Sequence, residues 1–167
     1  MISKPMMVIA LFVAVFISAI AVQAADKHKQ GVEIHRISPH RIARDINDVK
    51  GMKRAIVLYA SWCPNCVQKM PQIIDIERAK ADSIIAISID ESRQDFTRYM
   101  NKLGDVPFKA IVIDGPEWKL AEELERFDVE VWEAIPHVIL LDENNKTVEQ
   151  GNFSPKYIEA FLLPNEK

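Results

Sequence analysis

The chain has 167 residues, 49% of them apolar, with 21 Lys and Arg set against 24 Asp and Glu for a net charge of −3. That length holds one domain with one substantial core, and a mildly acidic, evenly mixed surface excludes the basic footprint that a nucleic-acid partner needs. Only two cysteines are present, which excludes a disulfide-dense scaffold.

The chain begins with a single cation, Lys4, followed by the apolar run Met6 to Val22, the small-residue sequence Val22-Gln23-Ala24 and the charged Asp26-Lys27-His28-Lys29. This order predicts a secretory signal peptide over residues 1–24. The alternative is an uncleaved N-terminal anchor that tethers the protein to a membrane, although the run is slightly short of the about 20 apolar residues a spanning helix needs. Either reading puts the remainder outside the cytoplasm as a single domain over residues 25–167. Lys4 is the one charged residue of the leading segment, so that domain has 143 residues and a net charge of −4.

Val32 to Ile37 alternates apolar and polar residues, as a half-buried strand does. Ser38-Pro39 caps a short helix to about Val49, stopped by Gly51. The unbroken apolar run Ala55 to Ala60 predicts a central strand buried on both faces. A helix follows through about Ala81, with Val67, Met70, Ile73, Ile74 and Ile76 as its apolar set and a kink expected at Pro71. Ile84 to Ile89 is a further buried strand, and Ser92 with Asp95 opens a helix whose Phe96, Tyr99, Met100 and Leu103 share a face before Gly104 ends it. Phe108 to Ile113 reads as a strand, and Pro116 starts a helix bearing Trp118, Ala121, Leu124 and Phe127. His137 to Leu141 then pairs with Thr147 to Gln150 through the turn Asp142-Glu143-Asn144-Asn145-Lys146. Ser154-Pro155 caps a terminal helix with Tyr157, Ile158, Phe161 and Leu162 inward. The order describes an α/β protein, a mixed sheet covered by helices.

Both cysteines lie in Tyr59-Ala60-Ser61-Trp62-Cys63-Pro64-Asn65-Cys66, where the central strand hands over to a helix. Unpaired N–H groups and the helix dipole favour negative charge there, so the Cys63 thiol is acidified below its ordinary value of about 8.5 and Cys63 is the candidate nucleophile. Cys66, one helical turn on, is placed to attack a mixed disulfide on Cys63 and release the product. A structural zinc site takes four ligands. No second C-x-x-C exists and His28, His35, His40 and His137 show no ligand spacing, so no metal is expected. A passive staple across so short a loop stabilises little. A redox pair is the favoured reading, with no cofactor beyond the Cys63–Cys66 disulfide itself.

Ala60-x-Trp62-Cys63-x-x-Cys66, with Pro71 five residues after the second cysteine, resembles thioredoxin-fold proteins. Residues 45 to 163 resemble the extracytoplasmic TlpA/ResA-like thiol-disulfide oxidoreductases. The matching features are Asp48-Val49-Lys50-Gly51 ahead of the strand, Ile87-Ser88-Ile89-Asp90-Glu91 at the exit of the next, a helical insertion around residues 92 to 130, and Ile135-Pro136-His137-Val138-Ile139-Leu140-Leu141-Asp142 before a turn. The resemblance implies a thioredoxin-like fold with that insertion ahead of the strand opened by a cis Pro136, against which the backbone of Ile135 pairs with an extended substrate. Trp62, Pro64, Asn65, Ile135 and Pro136 form the expected substrate-binding set. The plainer readings are Trp62 as core and Pro136 as an ordinary strand-start proline.

Two positions depart from the family. Thioredoxins carry a buried acid six residues ahead of the first cysteine, where this chain has Val57, and ResA-like members carry a glutamate three residues after the second, where it has Lys69. Lys69 therefore becomes a candidate for acidifying a thiol if its ammonium approaches the sulfur, or else a solvent-facing lysine, and Glu133 a candidate base. Pro64-Asn65 lacks the histidine that strong periplasmic oxidases place between their cysteines, which argues for a less oxidising pair. The expectation is a periplasmic enzyme that reduces disulfides of exported proteins, apocytochromes c among them, and is itself reduced by a membrane thiol-disulfide electron donor. The alternatives are an oxidase or isomerase using the same pair, and a non-catalytic binding module. Nothing resembles the Pro-x-x-x-Thr-x-x-Cys arrangement of related peroxidases.

Overall fold

Arg54–Tyr59 (β2) is buried at every position, as its apolar run requires of a strand covered on both faces. The computed structural model describes residues 32–163, so the expected signal or anchor over residues 1–24 lies outside the described residues. Around β2 lie five further described strands, β1 (Ile34–Ile37), β3 (Ile84–Ser88), β4 (Ala110–Ile113), β5 (His137–Leu141) and β6 (Thr147–Gly151). They form one sheet in the order β1-β4-β3-β2-β5-β6. The first four pair in parallel, while β5 runs antiparallel to β2 and β6 antiparallel to β5. The described α-helices are α1 (Pro39–Asn47), α2 (Pro64–Ala79), α3 (Arg93–Leu103), α4 (Glu117–Leu124) and α5 (Pro155–Leu162).

Side-chain alternation along the strands divides the core between the two faces of the sheet. Val57, Tyr59, Val138 and Leu140 pack with Met70 and Ile73 of α2, Phe96 and Met100 of α3, and Ile158 and Leu162 of α5. Ile56, Leu58, Ile139 and Leu141 pack on the other side with Ile42 and Ile46 of α1 and Leu120 and Leu124 of α4. Both cysteines belong to the first of these layers.

The mixed sheet and its helical cover agree with the sequence reading, and the differences are local. The segment expected as a helical insertion contains β4, a strand of the main sheet, between α3 and α4. α2 continues through Pro71 as a single element from Pro64 to Ala79, and α1 stops at Asn47 because Asp48 caps it, donating its N–H to the Arg44 carbonyl. Trp118 is 63% exposed. The inward face of α4 is carried by Leu120 and Leu124, one turn apart, and Trp118, two residues from Leu120, points the other way. Tyr157 is likewise exposed, its hydroxyl donating to Glu149 at 2.6 Å while Ile158 and Leu162 fill the core.

Two carboxylates are buried among the described residues, Glu77 and Asp90, both 4% exposed, and they sit at opposite ends of β3. Glu77 accepts from the backbone N–H groups of Asp82 (2.7 Å), Ser83 (3.0 Å) and Ile84 (2.7 Å), which ties the end of α2 to the start of β3. A buried N–H left without an acceptor costs about 1–3 kcal/mol. Glu77→Ala is therefore expected to lower unfolding stability by about 2–4 kcal/mol in urea titration while leaving the cysteine chemistry at the other end of the sheet intact.

Candidate active site

β2 ends at Tyr59, and the chain turns through Ala60, Ser61 and Trp62 into α2, the Cys63 N–H donating back to the Ala60 carbonyl at 3.2 Å. Cys63 is the N-cap of α2, in extended conformation, and its Sγ accepts from the Cys66 N–H at 3.3 Å. Sulfur thus takes the place that a Ser or Asp oxygen commonly fills at a helix start. Pro64 occupies the first helical turn, where a missing N–H is harmless. The Cys63 and Cys66 Cα atoms are 5.3 Å apart and the two residues are joined in a disulfide. Cys63, 6% exposed, is the more accessible; Cys66 is 2% exposed.

β5 supplies the facing wall. Its pairing with β2 sets Leu58 opposite His137, which brings the preceding residues beside the cysteines. The Ile135–Pro136 peptide bond is cis, and the Ile135 carbonyl oxygen lies 3.7 Å from Cys63 Sγ. Pro136 is buried and Ile135 partly so, while Trp62, at 66% exposure, stands with Pro64 and Asn65 in solvent at the rim. The structure thus gathers the two cysteines with Trp62, Pro64, Asn65, Ile135 and Pro136.

The loop presenting Ile135 is tied down along its length. The Thr147 hydroxyl donates to the Phe127 carbonyl at 2.7 Å, Lys146 pairs with Asp128 at 2.7 Å, and the Gln150 amide bonds both the N–H and the carbonyl of Glu130. Trp132 is buried, its ring stacked 5.9 Å from that of His137 and its indole N–H donated to Glu117 of α4. His137 faces the α1/α4 layer, its Nε2 is buried without a partner, and burial lowers its pKa, which favours the neutral ring.

The two candidate pKa modulators lie elsewhere. The Lys69 ammonium donates to the Phe153 carbonyl at 2.9 Å and to the Asn152 side chain, joining α2 to the loop before α5; its hydrogen bonds are spent away from the sulfurs, and burial lowers its pKa. Glu133 is exposed. The buried acid beside the pair is instead Asp90, which sequence reasoning noted only as a strand exit. Its carboxylate accepts from the Ser61 N–H (2.8 Å), the Ser61 hydroxyl (2.5 Å) and the Ser88 hydroxyl (2.6 Å). The signal that marks it is an acid directly after a buried strand whose final serine shares its bonds. Asp90 also borders a cleft of about 770 Å³ lined by Ser61, Trp62, Glu91, Tyr99 and Glu117 among others. The Tyr99 hydroxyl there is buried without a partner and its pKa is pushed up to about 12, first by burial and then by the Asp90 charge.

Among the described residues no cluster of three or more His, Cys, Asp or Glu side chains is arranged to hold a metal ion, and no helix is long and apolar enough to cross a membrane.

A search of curated protein sequences finds no match. The fold is similar to that of a thiol:disulfide interchange protein of the thioredoxin family from Chlorobium tepidum, at 17% identity over 72% of this chain and 81% of that one, with a TM-score of 0.56. It is similar to an exposed lipoprotein thioredoxin from Streptococcus pneumoniae, at 25% identity over 70% and 87%, TM-score 0.53. It is similar also to the thioredoxin domain of a thiol-disulfide oxidoreductase from Bacteroides vulgatus, at 20% identity over 70% and 83%, TM-score 0.50. The sequence profile of the Redoxin family matches residues 23–156. With that match spanning most of its length and a disulfide at the first turn of α2, the chain belongs to the Redoxin family and has the thioredoxin-like fold of a thiol-disulfide oxidoreductase.

Proposed function

We propose that the protein is a disulfide reductase working outside the cytoplasm on exported proteins. The observation that carries the reading is the placement of Cys63, whose sulfur meets one N–H donor at a helix start and one backbone carbonyl, that of Ile135, across the groove. The first of these contacts stabilises a thiolate. The second marks where a substrate backbone would lie, extended along Ile135 and over Trp62.

In the cycle the Cys63 thiolate attacks one sulfur of a substrate disulfide. That bond breaks, a Cys63–substrate disulfide forms, and the displaced substrate sulfur leaves as a thiolate that takes up a proton. Cys66 then loses its proton and attacks Cys63 Sγ, forming the Cys63–Cys66 bond and releasing the second substrate thiol. Two electrons pass from the enzyme dithiol to the substrate, and a dithiol protein acting as electron donor, held at the membrane, restores Cys63 and Cys66 by the same exchange. Pro64 and Asn65 bring no cation to the Cys63 sulfur and the Lys69 ammonium is spent on Phe153 and Asn152. Weak stabilisation of the thiolate leaves a pair that gives electrons away.

Two outcomes are expected. Cys66→Ser accumulates Cys63-linked mixed disulfides with exported proteins on non-reducing gels, and Cys63→Ser yields none; equal yields from both variants would contradict the assignment of the nucleophile. Residues 1–24 fused ahead of a reporter that is active only outside the cytoplasm export it, whereas the same reporter ahead of residues 25–167 alone stays inactive.

A further inference from the structure

The Ser61 N–H and hydroxyl, the last firm anchors of the turn before Cys63, both bond one carboxylate 29 residues away in sequence. That carboxylate, Asp90, is 4% exposed and receives a further hydroxyl from Ser88, whose oxygen in turn accepts the Asp90 N–H at 3.0 Å. All three groups that reach its oxygens are donors, the complement of an ionised carboxylate. Its oxygen is 2.8 Å from the Ser61 nitrogen, and two residues of extended chain reach about 7 Å. The charge therefore lies within about 10 Å of the Cys63 backbone, about one Debye length, and is screened less than a surface charge because it is buried.

We propose that Asp90 is the positioning residue of the redox pair: it clamps the turn that delivers Cys63 and, as a fixed negative charge beneath that turn, disfavours the Cys63 thiolate and so makes the dithiol a stronger electron donor. The assignment deepens the reductase reading and rests on it. In this chain Val57 stands on β2 where thioredoxins place their buried acid, and the acid enters instead from the end of the neighbouring strand β3. Tyr99 lines the same cleft as Asp90, and its pKa is pushed up to about 12, first by burial and then by the Asp90 charge.

The other charges near the cysteines do not replace it. Glu91, Asp95, Arg98 and Lys102 are exposed on the cleft rim, and Arg98 pairs with Asp95. Glu117 accepts the Trp132 indole, Glu133 is exposed, and Lys69 is committed to Phe153 and Asn152. His137 stacks on Trp132 in the core layer across the sheet from the cysteines.

The test compares wild type, Asp90→Asn and Ser88→Ala by two readouts on the purified full chain: the pH dependence of Cys63 alkylation by iodoacetamide, and the equilibrium with a glutathione redox buffer, with thermal unfolding run alongside. Asp90→Asn keeps the shape and removes the charge. It is expected to shift the Cys63 alkylation profile to lower pH and to favour the reduced enzyme about tenfold, about 30 mV less reducing. Ser88→Ala keeps the charge and removes one donor that compensates it. This variant moves both readouts in the opposite sense and remains informative where Asp90→Asn fails to fold. Unchanged readouts in a folded Asp90→Asn, or shifts of the same sign in both variants, overturn the proposal. Failure of the reductase reading is distinguishable, because it appears as an oxidising wild-type potential whatever the variants do.

Discussion

The antiparallel pairing of β2 with β5 is the constraint on which the rest of the site depends. Cys63 leaves the end of β2 and Ile135 enters the start of β5, so the register that sets Leu58 opposite His137 also sets the Cys63 sulfur against a carbonyl 72 residues away. A register slip of one residue would turn every inward side chain of β5 to the wrong face. Val138 and Leu140 fill one core layer and Ile139 and Leu141 the other, so the packing of both layers fixes the alignment of the reactive groups. The stability of the sheet and the geometry of the chemistry are in this sense one quantity.

Around that pairing, the polar groups divide by end of the sheet. At the far end, Arg54 donates from inside the core to the Ile46 and Val49 carbonyls and to Asn145, and Glu77 gathers the N–H groups that open β3. These bonds hold connections that carry no chemistry. At the near end the buried carboxyl is Asp90, which joins Ser88 at the end of β3 to Ser61 in the turn that leads to Cys63. A buried polar group is costly unless it is hydrogen-bonded, and the Asp90 carboxyl meets that condition with bonds that also orient Ser61. The loop before Pro136 is held with comparable care by Thr147, Lys146 and Gln150 from the β5–β6 hairpin. The turn before Cys63 and the loop before Pro136 are thus both tied down by hydrogen bonds within the fold.

Much of this was legible in the sequence because periodicity and local punctuation are local signals. The apolar runs of β2, β3 and β5, the Ser-Pro caps of α1 and α5 and the position of Cys63 at a strand-to-helix junction all follow from residues within one element. What escaped was set by distant partners. The destination of the Lys69 ammonium depends on Asn152 and Phe153, more than eighty residues on, and the role of Asp90 depends on Ser61 in another loop. Neither bond leaves a spacing to read. The apolar spacing of α5 counts Tyr157 with its inward residues, yet Ile158 and Leu162 are the buried ones, just as Leu120 and Leu124 are in α4, where Trp118 is exposed. Val57 and Lys69 showed that the usual acids are missing from their places, and the fold supplies a buried carboxylate from β3 instead.

Cys63 and Cys66 are proposed to form an electron-donating pair. The most direct measurement is the reduction potential of the wild-type pair, taken by equilibration with glutathione or dithiothreitol buffers and quantified by thiol labelling. A value near about −270 mV, in the range of thioredoxin, is the result expected here, and a value near about −120 mV, in the range of a strong oxidant, would contradict it.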